Sequence, residues 1–137
     1  MNKVIALGAD NGYMDKVETT IKSVCVHNDN IKFYVFNDDL PSEWFRVMNK
    51  RLEKINSQIV NAKISDNHLR KYHLPRPHLS YAAYFRFFIP EVVEEERVLY
   101  LDSDIIVDGS LTELFETDFD DCPLAAVRDE VMWSNFN

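Results

Sequence analysis

Apolar and polar positions follow two different rhythms along this chain. Residues 4–7 form a short apolar run closed by Gly8-Ala9-Asp10-Asn11-Gly12, a turn signal. Val17, Ile21, Val24 and Cys25 then recur at i, i+4, i+7 and i+8, the spacing of one helix face. Residues 33–36 make a second strand-like run, ended by Asn37-Asp38-Asp39. Pro41-Ser42 opens a second helix with Trp44, Phe45, Met48, Leu52 and Ile55 on one side. Residues 59–64 are a third strand candidate. Strands alternating with helices in this way predict an α/β fold with a mostly parallel sheet covered on both faces.

The second half is less regular. Residues 66–72 fit a short helix, and Leu74-Pro75-Arg76-Pro77 reads as a loop because proline ends helices. Residues 80–89 look helical, with Ser80 as a cap and Pro90 after the end. That segment is aromatic (Tyr81, Tyr84, Phe85, Phe87, Phe88), and Arg86 is the charge among them. Glu94-Glu95-Glu96 is a solvated turn before a strand that starts at Arg97. Residues 111–115 are a brief helix and residues 124–127 a final buried strand. With no internal repeat, low-complexity tract or flexible linker, one domain is expected over residues 1–137.

Composition narrows the function. A length of 137 residues fits one domain or part of a larger one. A hydrophobic content of 46% is ample for a core and argues against disorder. Fifteen Lys+Arg against 23 Asp+Glu give a net charge of -8, which disfavours a general nucleic-acid binder. It does not disfavour a nucleotide, since a metal can offset local negative charge. Cys25 and Cys122 are far apart and read as buried free thiols, which suits a reducing compartment. Asp10 interrupts the first apolar run, so no signal peptide is seen, and no run reaches membrane-spanning length. The expectation is a soluble cytoplasmic protein without a transmembrane segment.

The densest chemical signal is Arg97-Val98-Leu99-Tyr100-Leu101-Asp102-Ser103-Asp104-Ile105-Ile106-Val107. Asp is depleted in strands, so two of them between apolar runs call for a reason. In extended chain, residues i and i+2 point to one side, so Asp102 and Asp104 can present their carboxylates together. Mg²⁺ or Mn²⁺ suits that pair, with phosphate oxygens and water completing the shell. A solvated surface role competes, and Asp118-Phe119-Asp120 serves as an internal control. That second copy lies in an acidic, loop-like stretch with no strand running into it.

In open α/β sheets ligands bind beyond the carboxyl ends of strands. The loop after the first strand is therefore the other candidate. Three glycines (Gly8, Gly12, Gly109) cannot write G-x-G-x-x-G or a Walker A pattern, which disfavours a dehydrogenase or a P-loop enzyme. The loop offers a carboxylate, Asp10, and a ring, Tyr13, that could meet a nucleobase. Equally, Asp10 could cap the first helix and Tyr13 could pack on its first turn.

Taken together these residues resemble the retaining family 8 glycosyltransferases. Ala9-Asp10-Asn11-Gly12-Tyr13 resembles their A-D-x-x-Y loop and Ile21-Lys22-Ser23-Val24 the "KS" turn of their first helix. Residues 80–86 resemble the Y-x-R helix, and residues 98–104 the specific V-L-Y-L-D-x-D strand. The resemblance is collinear from about Val4 to Asp129 and is greatest to bacterial enzymes that extend glycans on surface adhesins or lipooligosaccharides. It implies a Rossmann-like nucleotide-diphospho-sugar transferase fold of glycosyltransferase-A type. It also implies a metal-dependent hexosyltransferase using a UDP-sugar such as UDP-glucose or UDP-galactose, with a bacterial surface glycan or glycoprotein as acceptor. By residue, Asp102 and Asp104 match the pair that holds Mn²⁺ (or Mg²⁺) against the donor diphosphate, and Asp102 also lies near donor sugar and ribose. Asp10 and Tyr13 match uracil contacts, Gly8 and Ala9 backbone positions around the uridine, and Arg86 a residue reaching donor sugar or phosphate. Gly12 stands where many members carry Asn, so no contact is carried over to it.

Family members continue into a later half with an H-x-x-G-x-x-K-P-like motif that adds a metal-ligating His. Here His27, His68, His73 and His78 all precede Asp102. The chain is thus expected to be the donor-binding half, incomplete at its C-terminus, with no catalytic residue assigned and apolar surface open to self-association. A cytoplasmic site, peripheral at the inner membrane face, is the expected location. The alternative is a non-catalytic binding module on the same fold. A Mg²⁺-dependent phosphohydrolase is more remote, since such enzymes often place an Asp pair after the first strand.

Overall fold

The computed structural model describes residues 3–65 and 81–128. The chain runs β1 (Lys3–Gly8), a 3₁₀ turn (Asn11–Tyr13), α1 (Met14–His27), β2 (Ile31–Asn37) and α2 (Ser42–Leu52) with a 3₁₀ turn (Glu53–Ile55). There follow β3 (Gln58–Lys63), a 3₁₀ helix (Tyr81–Phe88), α3 (Ile89–Val92), β4 (Leu99–Tyr100) and α4 (Thr112–Phe115). The four strands form one sheet in the order β3-β2-β1-β4, every pair parallel.

The connections decide which face each helix covers. β1-α1-β2 and β2-α2-β3 both step the same way along the sheet, and parallel crossovers are right-handed, so α1 and α2 share a face. Val17, Ile21 and Val24 of α1 and Trp44, Phe45, Met48 and Leu52 of α2 are buried there against Ile5, Leu7, Phe33 and Val35. The step from β3 to β4 runs backwards across β2 and β1. Its helical segment therefore covers the opposite face, where Phe85 and Phe88 bury against Val4, Ala6, Tyr34 and Phe36. Strand residues alternate between these two cores, as the pleat requires. The reversal leaves a switch point between β1 and β4, the place where open α/β sheets take ligands.

Four expectations are corrected. The strand approaching Asp102 is two residues long, and the carboxylates lie beyond it in a turn. The helix near residue 85 is 3₁₀ up to Phe88, then turns α through Pro90 to Val92; Pro90 sits in the first turn, where its missing N–H costs nothing. Residues 124–127 form no strand, and Leu124 and Val127 are 75% and 97% exposed. An apolar tetrapeptide needs a neighbouring strand to become one, and periodicity cannot supply the neighbour. Likewise Cys25 is half-buried and Cys122 exposed, both as free thiols. The expected helix at 66–72, the loop at 74–77 and the Ser80 cap lie outside the described residues.

Candidate functional site

The site grows from the end of β4. The Leu101 N–H donates to the Ala6 carbonyl at 3.1 Å, the last ladder bond to β1. The chain then turns. Ser103 is buried, and its hydroxyl donates to the Gly8 carbonyl at the end of β1. Asp102 and Asp104 on either side are exposed. Both carboxylates thus stand exposed around an inward-facing residue, on a turn in place of the extended strand expected.

The chain beyond is clipped onto α1. Thr20, fully buried on the apolar stripe, donates its hydroxyl to the Ile105 carbonyl at 2.8 Å. Ser23 accepts from the Val107 N–H at 2.9 Å. The Asn28 amide donates to the Val24 and Gly109 carbonyls at 2.9 and 3.2 Å, and its oxygen accepts from the Leu111 N–H at 2.8 Å. Ser23 is the serine of the "KS" turn, so that motif acts here as a clasp on the segment behind the carboxylates.

The loop after β1 is equally well held. The Ala9 N–H donates to the Phe36 carbonyl at 2.9 Å, one step past the β1–β2 register. Asp10 caps the turn, its Oδ1 accepting from the Tyr13 N–H at 3.0 Å. Asp39, in the loop after β2, accepts from the Asn11 N–H at 2.8 Å and ties the two loops together. A Cβ at position 12 would stand 3.2 Å from Asp10 Oδ1, so Gly12 leaves room for the cap. The capping role of Asp10 is therefore real. Tyr13 is 39% exposed, with Lys16 Nζ 4.4 Å from its ring centroid, so it is not a core residue.

Arg86 approaches from the other face of the sheet. Its guanidinium lies 5.4 Å from the Tyr100 ring centroid. Burial pushes the Tyr100 phenol above its usual range, Arg86 opposes this, and the Asp102 and Asp104 charges, with a hydrogen-bonding interaction to Asp102, add to the rise. The Tyr100 phenol thus feels both Arg86 and the carboxylate pair. The strand ends are strongly acidic. Partial desolvation of its carboxylate, then the neighbouring Asp39 charge, holds Asp38 above the usual carboxylate range, and Asp10 contributes.

This donor set suits a hard divalent cation. Two exposed carboxylates leave most of an octahedral shell to phosphate oxygens and water, the usual arrangement for Mg²⁺. Among the described residues no group of three His, Cys, Asp or Glu could hold a metal, so the pair alone is what this region offers. His27 lies exposed at the end of α1, and the other three histidines fall outside the described residues.

The structure brings Gly8, Ala9, Asp10 and Tyr13 to one side of the switch point and Asp102 and Asp104 to the other. Arg86 stands over Tyr100, the last residue of β4. Sequence reading missed Ser103, Thr20, Asn28 and Asp39. A usable signal existed for Thr20, a hydroxyl on the apolar stripe between Val17 and Val24.

The family described as "Glycosyl transferase family 8" matches residues 4–137. Glycosyltransferase GlyB of Streptococcus pneumoniae serotype 4 is 59% identical over 98% of this chain, which spans 34% of GlyB's length. The crystal structure of apo-form GlyE from S. pneumoniae TIGR4 superposes with a TM-score of 0.74 at 35% identity, covering 86% of this chain and 27% of GlyE. Galactosyltransferase LgtC, solved with donor and acceptor sugar analogues, superposes at 0.65 and 27% identity, covering 84% of this chain and 42% of LgtC. The fold is therefore the Rossmann-like nucleotide-diphospho-sugar transferase fold of glycosyltransferase-A type. The chain spans about a third of the curated relative GlyB.

Proposed function

This chain belongs to glycosyl transferase family 8, and on that premise we propose that it is the donor-binding part of a metal-dependent hexosyltransferase. The donor is a UDP-sugar, UDP-glucose or UDP-galactose, and the acceptor a bacterial surface glycan or glycoprotein. Asp102 and Asp104 would hold Mn²⁺ or Mg²⁺, with Asp102 also facing donor sugar and ribose. The ion, when bound, stabilises charge developing on the leaving diphosphate. Asp10 and Tyr13 meet the uracil, Gly8 and Ala9 offer backbone around the uridine, and Arg86 reaches the phosphate or donor sugar. Retention of configuration follows from the family resemblance. The enzyme works in the cytoplasm, peripheral at the inner membrane face; no described helix is long and apolar enough to cross a membrane.

One observation carries this reading. The exposed pair Asp102/Asp104 and the Gly8–Tyr13 loop stand side by side at the β1/β4 switch point, joined by the Ser103–Gly8 bond. An anionic diphosphate would not enter so acidic a place without a cation, and the pair can hold one. The similarity to LgtC, a galactosyltransferase, supports a hexose donor. A second reading, a binding module without transfer, rests on the two-carboxylate donor set among the described residues. It predicts UDP binding without turnover in the natural full-length protein.

A thermal-shift panel tests the proposal. UDP, UDP-glucose and UDP-galactose are each added with Mn²⁺ and with chelator, alongside ADP and GDP. Stabilisation confined to uridine nucleotides with metal is expected. Equal shifts for all nucleotides, or shifts unaffected by chelator, would contradict it. Residues 1–137 alone are expected to bind UDP weakly and transfer no sugar.

A further inference from the structure

Backbone carbonyls alternate along a strand, so the Ala6 and Gly8 carbonyls point the same way, toward β4. The Leu101 N–H reaches the first. Two residues on, continuation of the ladder would bring the Ser103 N–H to the second. The chain turns instead, and the donor that reaches Gly8 is the Ser103 hydroxyl. We propose that Ser103 is a positioning residue that couples the metal-binding pair to the uridine loop by this side-chain bond. The inference rests on the donor-site reading above.

The physical logic is local. Gly8 is half-buried, so its carbonyl gains from a protein donor, and the chain that follows β4 supplies one. A backbone donor would keep residue 103 in the ladder. A side-chain donor satisfies Gly8 and frees the backbone to turn, while the buried Ser103 forces its neighbours outward. Gly8 leads directly into Ala9 and Asp10. The bond therefore fixes the distance between the groups meant for the base and those meant for the diphosphate. A ligand bridging both would feel its loss; a ligand touching only one would not.

The test measures UDP and uridine binding by calorimetry in the natural full-length protein, with Mn²⁺ and with chelator. Ser103→Ala, Ser103→Thr and the control Ser110→Ala are compared with wild type. Ser103→Ala should shrink the Mn²⁺-dependent gain in UDP affinity by about 10–100-fold, the range typical when a residue supporting a metal ligand is lost. Uridine affinity should hold, Ser103→Thr should restore the gain, and Ser110→Ala should match wild type. If Ser103→Ala does not fold, Ser103→Cys takes its place, since a thiol keeps the volume but donates weakly. A wild-type Mn²⁺ gain in the variant, an equal loss with and without metal, or failure of Ser103→Thr would each overturn the inference. Absence of any Mn²⁺ gain in wild type would instead overturn the donor-site reading, and this inference with it.

Discussion

The chain carries the pattern Asp-x-Asp twice, and the two copies fold differently. At Asp102-Ser103-Asp104 the middle residue is buried and tied to β1, while both carboxylates stand exposed beside a second loop. At Asp118-Phe119-Asp120 the motif closes on itself. Asp118 Oδ1 accepts the Asp120 N–H at 3.0 Å, an Asx turn, and Asp120 and Asp121 take left-handed backbone, φ 48° and 63°. Its middle residue, Phe119, lies under Arg97 at 4.2 Å and so helps seat the turn. One copy leaves both carboxylates exposed at the proposed donor site, and the other uses one to build a turn. Anchoring by the neighbouring strand separates them, not the motif.

The most forceful way to break the comparison is to remove one carboxylate from each copy. Asp102→Asn or Asp104→Asn should lower Mn²⁺-dependent UDP affinity on the order of 100-fold, the upper end of what even supporting residues cost. Asp118→Asn and Asp120→Asn should leave it within error by calorimetry.

A second change loosens the segment that follows the first copy. Asn28→Ala removes the amide that serves the Gly109 carbonyl and the Leu111 N–H. Each group left without a partner should cost about 1–3 kcal/mol, read as a lower urea midpoint. Amide exchange should speed up first in residues 105–111.

Tyr13 sharpens the contrast from the base side. Tyr13→Ala should weaken UDP binding by about 1–3 kcal/mol and reduce the preference for uridine over adenosine nucleotides. A well-folded variant with normal UDP affinity would return Tyr13 to a packing role on the first turn of α1.

The smallest effect concerns the approach to β4. Lys32 Nζ lies 2.5 Å from Glu95 Oε1, and the Tyr34 hydroxyl donates to Glu95 Oε2 at 2.8 Å. Burial works to raise the Glu95 pKa, but the bonds from Lys32 and Tyr34 prevail and hold it below the usual range. A lowered carboxylate pKa stabilises above the unfolded value and loses that contribution as pH falls through the folded one. Wild type should therefore exceed Glu95→Gln by about 1 kcal/mol or less at neutral pH. The gap should close below the ordinary glutamate range in paired urea titrations.

Much of the fold was legible because burial imposes a period. Val17, Ile21 and Val24 marked the inner face of α1, and the run from Phe33 to Phe36 marked a strand buried on both faces. Reading failed where a partner decides the outcome. The run at 124–127 looks like a strand, but no strand pairs with it among the described residues. The length of β4 was also invisible, because the ladder stops where Ser103 exchanges a backbone donor for a side-chain one. The candidate site was legible in its charged residues and not in its supports. Ser103, Asn28 and Asp39 are single polar residues with no spacing of their own, and their roles exist only across β1, α1 and the loop after β2.

In the proposed reading the first Asp-x-Asp copy and the β1 loop form one metal-dependent uridine-diphosphate site. Calorimetric titration of UDP into the natural full-length protein, in Mn²⁺ and then in chelator, tests it most directly. Binding that is tight with Mn²⁺ and lost with chelator is predicted, and equal affinity in the two buffers would contradict the account.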